Sequence, residues 1–198
     1  MELMLDLDGV LTDFCKAAYE FHGIEKELEP GNFDIVSQSG IKPKDFWEPL
    51  GHDFWANLPW MPDGIQILLM CEDIVGEENI CLLTSPTWNT GSASGKLEWI
   101  QKNIPNYSRR FLIGPPKHFC CNKHRVLVDD GEHNIAKWDG PSILIPRIWN
   151  KNRDLPVFPY VEMEMFSIVK NHYERDLTED FISQWRNQKH ESNRKDKV

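Results

Sequence analysis

The sequence predicts an α/β fold, a parallel sheet with helices on both faces. Short apolar runs at residues 3–7, 79–85, 109–113, 125–128 and 142–145 alternate with segments of helical spacing. In the first two runs the apolar residues are consecutive rather than alternating, Leu3 to Leu5 and Ile80 to Leu83, as in strands buried on both faces. Three runs end in chemically loaded residues: Asp6 with Asp8, Thr84 with Ser85, and Asp129 with Asp130. In a parallel sheet such ends lie along one edge, where ligands bind.

The first strand, residues 3–7, delivers Asp6 and Asp8 into the turn at Gly9. Burying two neighbouring acids costs several kcal/mol unless a cation compensates. Gly9 permits a tight turn, and Val10 and Leu11 return the chain to apolar surroundings. Taken alone, Asp-x-Asp-Gly also reads as a strand end running into a solvated turn.

Residues 14–30 carry helical spacing at Phe14, Ala17, Ala18 and Phe21, ended by Gly23 and then Pro30. Residues 31–62 are rich in aromatics and breakers. Residues 14–62 are therefore expected to form a small helical cap over the strand end, inserted in a core made of residues 1–13 and 63–186. Phe54 and Trp55 are adjacent and cannot face the same way on a helix, so one is a candidate to contact a planar ligand, with Phe33 as a further candidate. Each of these aromatics also reads as part of the cap's own core.

Asp63 is placed to cap a helix with a stripe at Ile65, Leu68, Leu69 and Glu72, closing at Gly76. After the second strand, a loop over 87–94 is expected before a helix with Leu97, Ile100 and Ile104 on one face. A short helix at 133–138 precedes the last strand. Residues 160–186 suit a helix or helix pair with Met163, Phe166, Val169, Tyr173, Leu177, Phe181 and Trp185 as core candidates, and the polar residues 187–198 are expected to be disordered.

The chain's 198 residues suffice for one domain with a small insertion. A net charge of -9 argues against a broad nucleic-acid surface and makes any phosphate recognition local. Five cysteines, with no Cys-x-x-Cys pair and no secretory leader read at the start, predict reduced thiols and a cytoplasmic location. Cys120, Cys121 and His124 form a cluster without a second ligand pair at zinc-site spacing. No apolar run approaches the ~20 residues of a membrane span.

Lys96 is read near the start of its helix, where the macrodipole disfavours a cation but free amides favour a phosphate. Two hydroxyls, a lysine and two acid pairs make up a kit for phosphoryl transfer. Asp6, Asp129 and Asp130 offer oxygens to a hard divalent cation, with magnesium the default. Asp6 is the candidate nucleophile and Asp8 the candidate acid and base, while Thr84, Ser85 and Lys96 would hold the phosphate.

These residues resemble the haloacid dehalogenase (HAD) superfamily of phosphatases in four motifs: Leu3-Met-Leu-Asp-Leu-Asp-Gly-Val-Leu11, Leu83-Thr84, Lys96, and Leu127-Val-Asp-Asp130. Within it the chain is most similar to 5'(3')-deoxyribonucleotidases, through Asp6 to Phe14, Phe46-Trp-Glu48, Phe54-Trp55 leading to Pro62-Asp-Gly64, Thr84-Ser-Pro86, Lys96 to Ile100, and Asp129-Asp130. The resemblance implies a Rossmann-like core with a cap and a magnesium-dependent phosphatase that hydrolyses deoxynucleoside monophosphates through an aspartyl-phosphate. It implies Mg2+ on Asp6, Asp129 and the Asp8 carbonyl, with Asp130 nearby, and a base stacked on Phe54 or Trp55. The expected partner is a small nucleotide, without membrane or nucleic acid, and a homodimer is left open. Two alternatives stand beside this reading: a phosphatase of another small monoester, and a catalytically idle module that binds a nucleotide or a protein.

Overall fold

A computed structural model of the chain describes residues 1–195, with side chains as far as residue 180. The elements in order are β1 (Glu2–Leu5), α1 (Phe14–Phe21), α2 (Ile35–Ser39), α3 (Pro43–Trp47), α4 (His52–Ala56), α5 (Gly64–Val75), β2 (Ile80–Thr84), α6 (Thr90–Asn103), β3 (Phe111–Ile113), β4 (Arg125–Asp129), α7 (Glu132–Ile135), β5 (Ser142–Leu144) and α8 (Val157–Lys195). No described helix is long and apolar enough to cross a membrane.

The five strands form one parallel sheet in the order β3-β2-β1-β4-β5, an α/β arrangement consistent with a Rossmann-like fold. β1, apolar after Glu2, takes the centre, where both faces of Leu3–Leu5 are covered. Its alternation divides the core. Leu3 and Leu5 pack with Ile80, Leu82, Val126 and Val128 under Ile67, Trp99 and Val161, whereas Met4 faces Leu83, Leu127 and Trp138. A fully buried Trp such as Trp99 removes roughly 150–250 Å² from water, about 4–6 kcal/mol at ~25 cal/mol per Å².

Residues 14–58 leave and re-enter the sheet region through a short pairing. The Asp13 amide donates to the Pro59 carbonyl at 2.9 Å, and the Met61 amide donates to the Leu11 carbonyl at 2.8 Å. Gly64 sits where any Cβ would strike the Leu11 backbone. Between these ends lies a second apolar cluster of Cys15, Ala18, Tyr19, Ile35, Val36, Phe46 and Leu50, joined from the far side by Trp149.

Three sequence expectations are corrected. In α5 the buried stripe is Gly64, Ile67, Leu68 and Cys71, with Ile65 and Leu69 exposed, and the Asp63 side chain caps nothing. Its carboxylate is held instead by Arg147. The 87–94 loop is mostly helix: α6 starts at Thr90, with the Asn89 side chain accepting from the Gly91 amide. Gly and Ser are poor helix formers, but here they let α4 approach closely, since a Cβ on Gly91 or Gly95 would strike the His52 backbone.

In α8 the expected core stripe is the outward face: Met163, Phe166, Tyr173 and Leu177 are all more than half exposed. Val161 and Met165 are buried instead and Ile168 packs beside them, a second helical stripe that the periodicity did not separate from the first. Phe158 holds extended angles, so the regular helix begins at Pro159, where a missing amide costs nothing. The backbone of α8 runs through 187 to Lys195. Residues 196–198 of the expected tail, and the side chains of Phe181 and Trp185, lie outside the described residues.

Candidate active site

Asp6 follows the central strand directly, its amide donating to the Val128 carbonyl of β4 at 2.9 Å. Thr84 ends β2 on one side and Asp129 ends β4 on the other. The sheet order therefore brings three of the predicted residues to adjacent strand ends, all buried.

A residue that the sequence reading missed sits among them. Lys117 opens the turn Lys117–Cys120 after β3, and its ammonium lies 2.7 Å from Asp6 Oδ1 and 2.7 Å from Asp129 Oδ2. Burial alone would pull this ammonium down, but Asp6 and Asp129 more than offset it, so Lys117 is held charged. At Asp6 burial outweighs the pairing with Lys117, and with Asp129 and Asp8 adding repulsion the carboxyl is pushed up to about 7. Lys117 was findable in principle, because it follows Gly114-Pro-Pro at the carboxyl end of β3, the same rule that selected Asp6, Thr84 and Asp129.

Lys96 lies in the second turn of α6, not at its start, so the macrodipole plays no part in its placement. It is fully buried, with its ammonium 4.8 Å from the centre of the Trp55 ring. It donates to Asp8 Oδ2, to the Ser85 carbonyl, and to Thr84 Oγ1 at 3.0 Å. Thr84 thus spends its acceptor on Lys96 and keeps its hydroxyl hydrogen for another group. Asp8 Oδ1 accepts from Thr12 Oγ1 at 3.0 Å. The Asp8 carboxylate is thereby turned toward Thr12 and Lys96, while the Ser85 hydroxyl leans on the Gly114 carbonyl at 3.5 Å.

Asp130 is anchored by a segment after β5 that carried no signal in the sequence reading. Trp149 Nε1 donates to Asp130 Oδ2 at 2.7 Å, and Asn150 Nδ2 donates to the Asp130 carbonyl at 2.9 Å. Burial, then Asp129 and Asp6, push the Asp130 carboxyl well above the usual carboxylate range. Arg147, also buried, donates to both Asp63 oxygens at 2.8 and 2.9 Å and to the carbonyls of Gly9 and Val10. That guanidinium fixes the turn after Asp8. At Gly9, with φ +77°, a Cβ would collide with the Asp130 carboxylate, so glycine is required twice over.

Asp6, Asp129 and Asp130 offer oxygens within 4.8 Å of one another. Three buried carboxylates share one buried ammonium, Lys117, and Asp6 and Asp130 are driven toward their neutral forms. An all-oxygen, anionic, under-compensated group of this kind fits a hard divalent cation.

The cluster opens into a cleft of about 490 Å³. Phe14 stacks between Trp47 and Trp55, at 5.7 and 5.0 Å between ring centres, and this stack lines the cleft. Phe33 also lines it, packed edge-on against His133 at 4.9 Å, and Trp88 stands fully exposed at its margin. Of the three aromatics singled out from sequence, Phe33 and Trp55 border the cleft, Trp55 with only 2 % of its surface exposed. Phe54 instead packs edge-on against Phe14, Phe21 and Trp55.

No family model matches the chain. It is similar to two proteins named 5'(3')-deoxyribonucleotidase, one from Bacillus subtilis (strain 168) and one from Bacillus phage SPbeta. Each is 22% identical over 173 residues, covering 82% of this chain and 95% of the relative.

Proposed function

We propose that the chain is a magnesium-dependent HAD-type phosphatase that hydrolyses deoxynucleoside monophosphates, with residues 14–62 as its cap. The observation that carries this is the buried Asp6 carboxylate at the central strand end, facing an aromatic cleft and flanked by two lysines and two further acids. The names of the two relatives support the substrate class.

Asp6, Asp129 and the Asp8 carbonyl would hold Mg2+, with Asp130 beside them; the ion would offset their charge and make the approach of an anionic phosphate favourable. Asp6 Oδ1 is engaged by the Leu7 amide at 2.8 Å and by Lys117, leaving Oδ2 to attack. Oδ2 forms a bond to phosphorus as the ester P–O bond breaks; Asp8, whose carboxylate accepts from Lys96 and Thr12 in this structure, would turn to the leaving oxygen in its protonated form and give that proton to the departing alkoxide. Water then attacks the aspartyl-phosphate, Asp8 takes its proton, and inorganic phosphate leaves with Asp6 restored. Thr84 donates its free hydroxyl hydrogen to the transferring oxygens, and Lys117 and Lys96 supply positive charge around them. The aromatic walls bind the base. The location proposed for this activity is the cytoplasm.

The test is phosphate release from deoxy- and ribonucleoside 5'- and 3'-monophosphates and from an aryl phosphate, with and without magnesium, using Asp6→Asn as blank. Magnesium-dependent release that favours deoxynucleotides is expected. Cleavage of the aryl phosphate alone would refute the substrate class, and no cleavage at all would refute the phosphatase.

A further inference from the structure

At the opposite pole of the sheet, before β4 begins, His124 faces His172 on α8: Nδ1 of the first ring lies 3.1 Å from Nε2 of the second. His172 Nδ1 lies 3.0 Å from Asp176 Oδ2, one helical turn on. One ligand atom from each of the three residues falls within 4.8 Å of the others. The inner stripe of α8 that begins with Val161, Met165 and Ile168 continues at His172, whose side chain is only 12% exposed and is held against the protein, while the Asp176 side chain is 45% exposed. Neither histidine belongs to the cleft at the other end. His124 is five residues before Asp129 along β4, roughly 16 Å at a strand's rise per residue.

We infer that His124 and His172, the latter oriented by Asp176, supply two ligands to a metal site for a borderline divalent cation such as zinc, with water completing its coordination, which fastens α8 to the amino end of the sheet. The chemistry begins with Asp176. An ionised carboxylate only accepts hydrogen bonds, so His172 Nδ1 carries the hydrogen and Nε2 of the neutral ring presents a lone pair toward His124. A carboxylate behind a metal-facing imidazole is the usual device for fixing its tautomer and orientation. The separation of the two facing nitrogens suits a shared ion. Bonds of about 2.0–2.1 Å in tetrahedral geometry put two ligand nitrogens roughly 3.3 Å apart. The terminal torsion of a histidine ring is soft, so a small rotation of each ring aims both lone pairs at one point. Imidazole donors select zinc, nickel or copper over magnesium, which keeps this site distinct from the all-carboxylate group.

Contacts beside the site already hold the same two elements together. Lys123 donates to both oxygens of Glu179 at 3.0 and 2.9 Å, and Arg175 Nη2 donates to the Lys123 carbonyl at 2.8 Å. The sequence cluster at Cys120, Cys121 and His124 contributes only its histidine: Cys121 Sγ donates to the Asp139 carbonyl at 2.9 Å, and Cys120 packs in the apolar group of Met4, Leu83 and Leu127.

The test is calorimetric titration of zinc chloride into the full chain in excess magnesium, which saturates the carboxylate group. One zinc equivalent should bind, with affinity lowered at least tenfold in His124→Ala and in His172→Ala and about 10–100-fold in Asp176→Asn. Zinc should raise the melting temperature of the wild type but not of the two histidine variants. Asp129→Asn should leave the zinc event intact. Absence of zinc binding, equal binding in both histidine variants, or loss of the event in Asp129→Asn would overturn the site and leave the pair as an imidazole–imidazole hydrogen bond.

Discussion

The strand-end cluster and the aromatic walls above it are built by opposite rules. In the cluster, side chains from three adjacent strand ends and two buried lysines meet within hydrogen-bond distance, and the strand-end positions follow from sheet order. The walls come from short helices and loops in residues 14–58, held mainly by apolar packing, by two backbone hydrogen bonds at their base, and by scattered polar contacts such as His52 with Ser94 and Glu98 and the Gly31 amide with the Ile148 carbonyl. Charges buried this closely must be placed within tenths of an ångström, whereas an apolar wall tolerates shifts. The contrast predicts that damage to the cluster is severe and general, while damage to the walls is milder and depends on the substrate.

The largest effect should come from Asp6→Asn, which removes the proposed nucleophile while keeping the shape of the strand end. Turnover should fall by about four to six orders of magnitude on every substrate, with an unchanged circular dichroism spectrum. A rate within tenfold of wild type would remove Asp6 from the chemistry and break the comparison at its strongest point. Lys117→Met comes next. It leaves Asp6 and Asp129 buried without their shared cation, a loss of about 3–5 kcal/mol that urea unfolding can measure. Because the same carboxylates would hold magnesium, adding the ion should return part of that loss. If Lys117→Met unfolds at wild-type urea concentration, the cluster does not depend on its lysine.

The fold and half of the cluster were legible because both follow from local patterns. An unbroken apolar run that ends in Asp-x-Asp places β1 centrally and Asp6 at its end. Thr84 and Asp129 follow from the same rule, and the structure puts all three side by side. Lys117 was missed because its strand is short, only Phe111–Ile113, and is followed by glycine and two prolines that read as loop. Arg147 and Trp149 have no local signature at all: their partners, Gly9, Asp63 and Asp130, lie elsewhere in the chain. The walls were legible only as composition. Helical spacing places Phe54 and Trp55 on different faces but does not say which face meets the cleft, and α8 shows the same ambiguity in its two stripes.

A pH titration of stability sharpens the electrostatic side of the comparison. The Asp6 carboxyl is raised from 3.8 to about 7 in the folded chain, mainly by burial. Between those values the folded state binds more protons than the unfolded state, so the metal-free protein should lose stability as pH rises through this window, by a few kcal/mol at most. Asp6→Asn has no such titration. Without metal the variant should therefore gain on the wild type as pH is raised toward neutrality, as read from the difference in their melting temperatures. Magnesium should favour the wild type again. A difference that is flat with pH would mean that burial does not strain Asp6.

The smallest effects should lie in the walls, and they separate lining aromatics from packing aromatics. Phe33 is about half exposed and borders the cleft, so Phe33→Ala should weaken nucleotide binding by about 1–3 kcal/mol, a rise in KM of roughly fivefold to 150-fold, with kcat little changed. Aryl phosphate turnover should stay the same, because that substrate has no base to stack. Phe54 packs edge-on within the Phe14, Phe21 and Trp55 group, so Phe54→Ala should lower the melting temperature without changing the ratio of nucleotide to aryl phosphate turnover. If Phe33→Ala instead slows both substrates equally, the walls serve the cluster rather than the base, and the division of labour between the two regions fails.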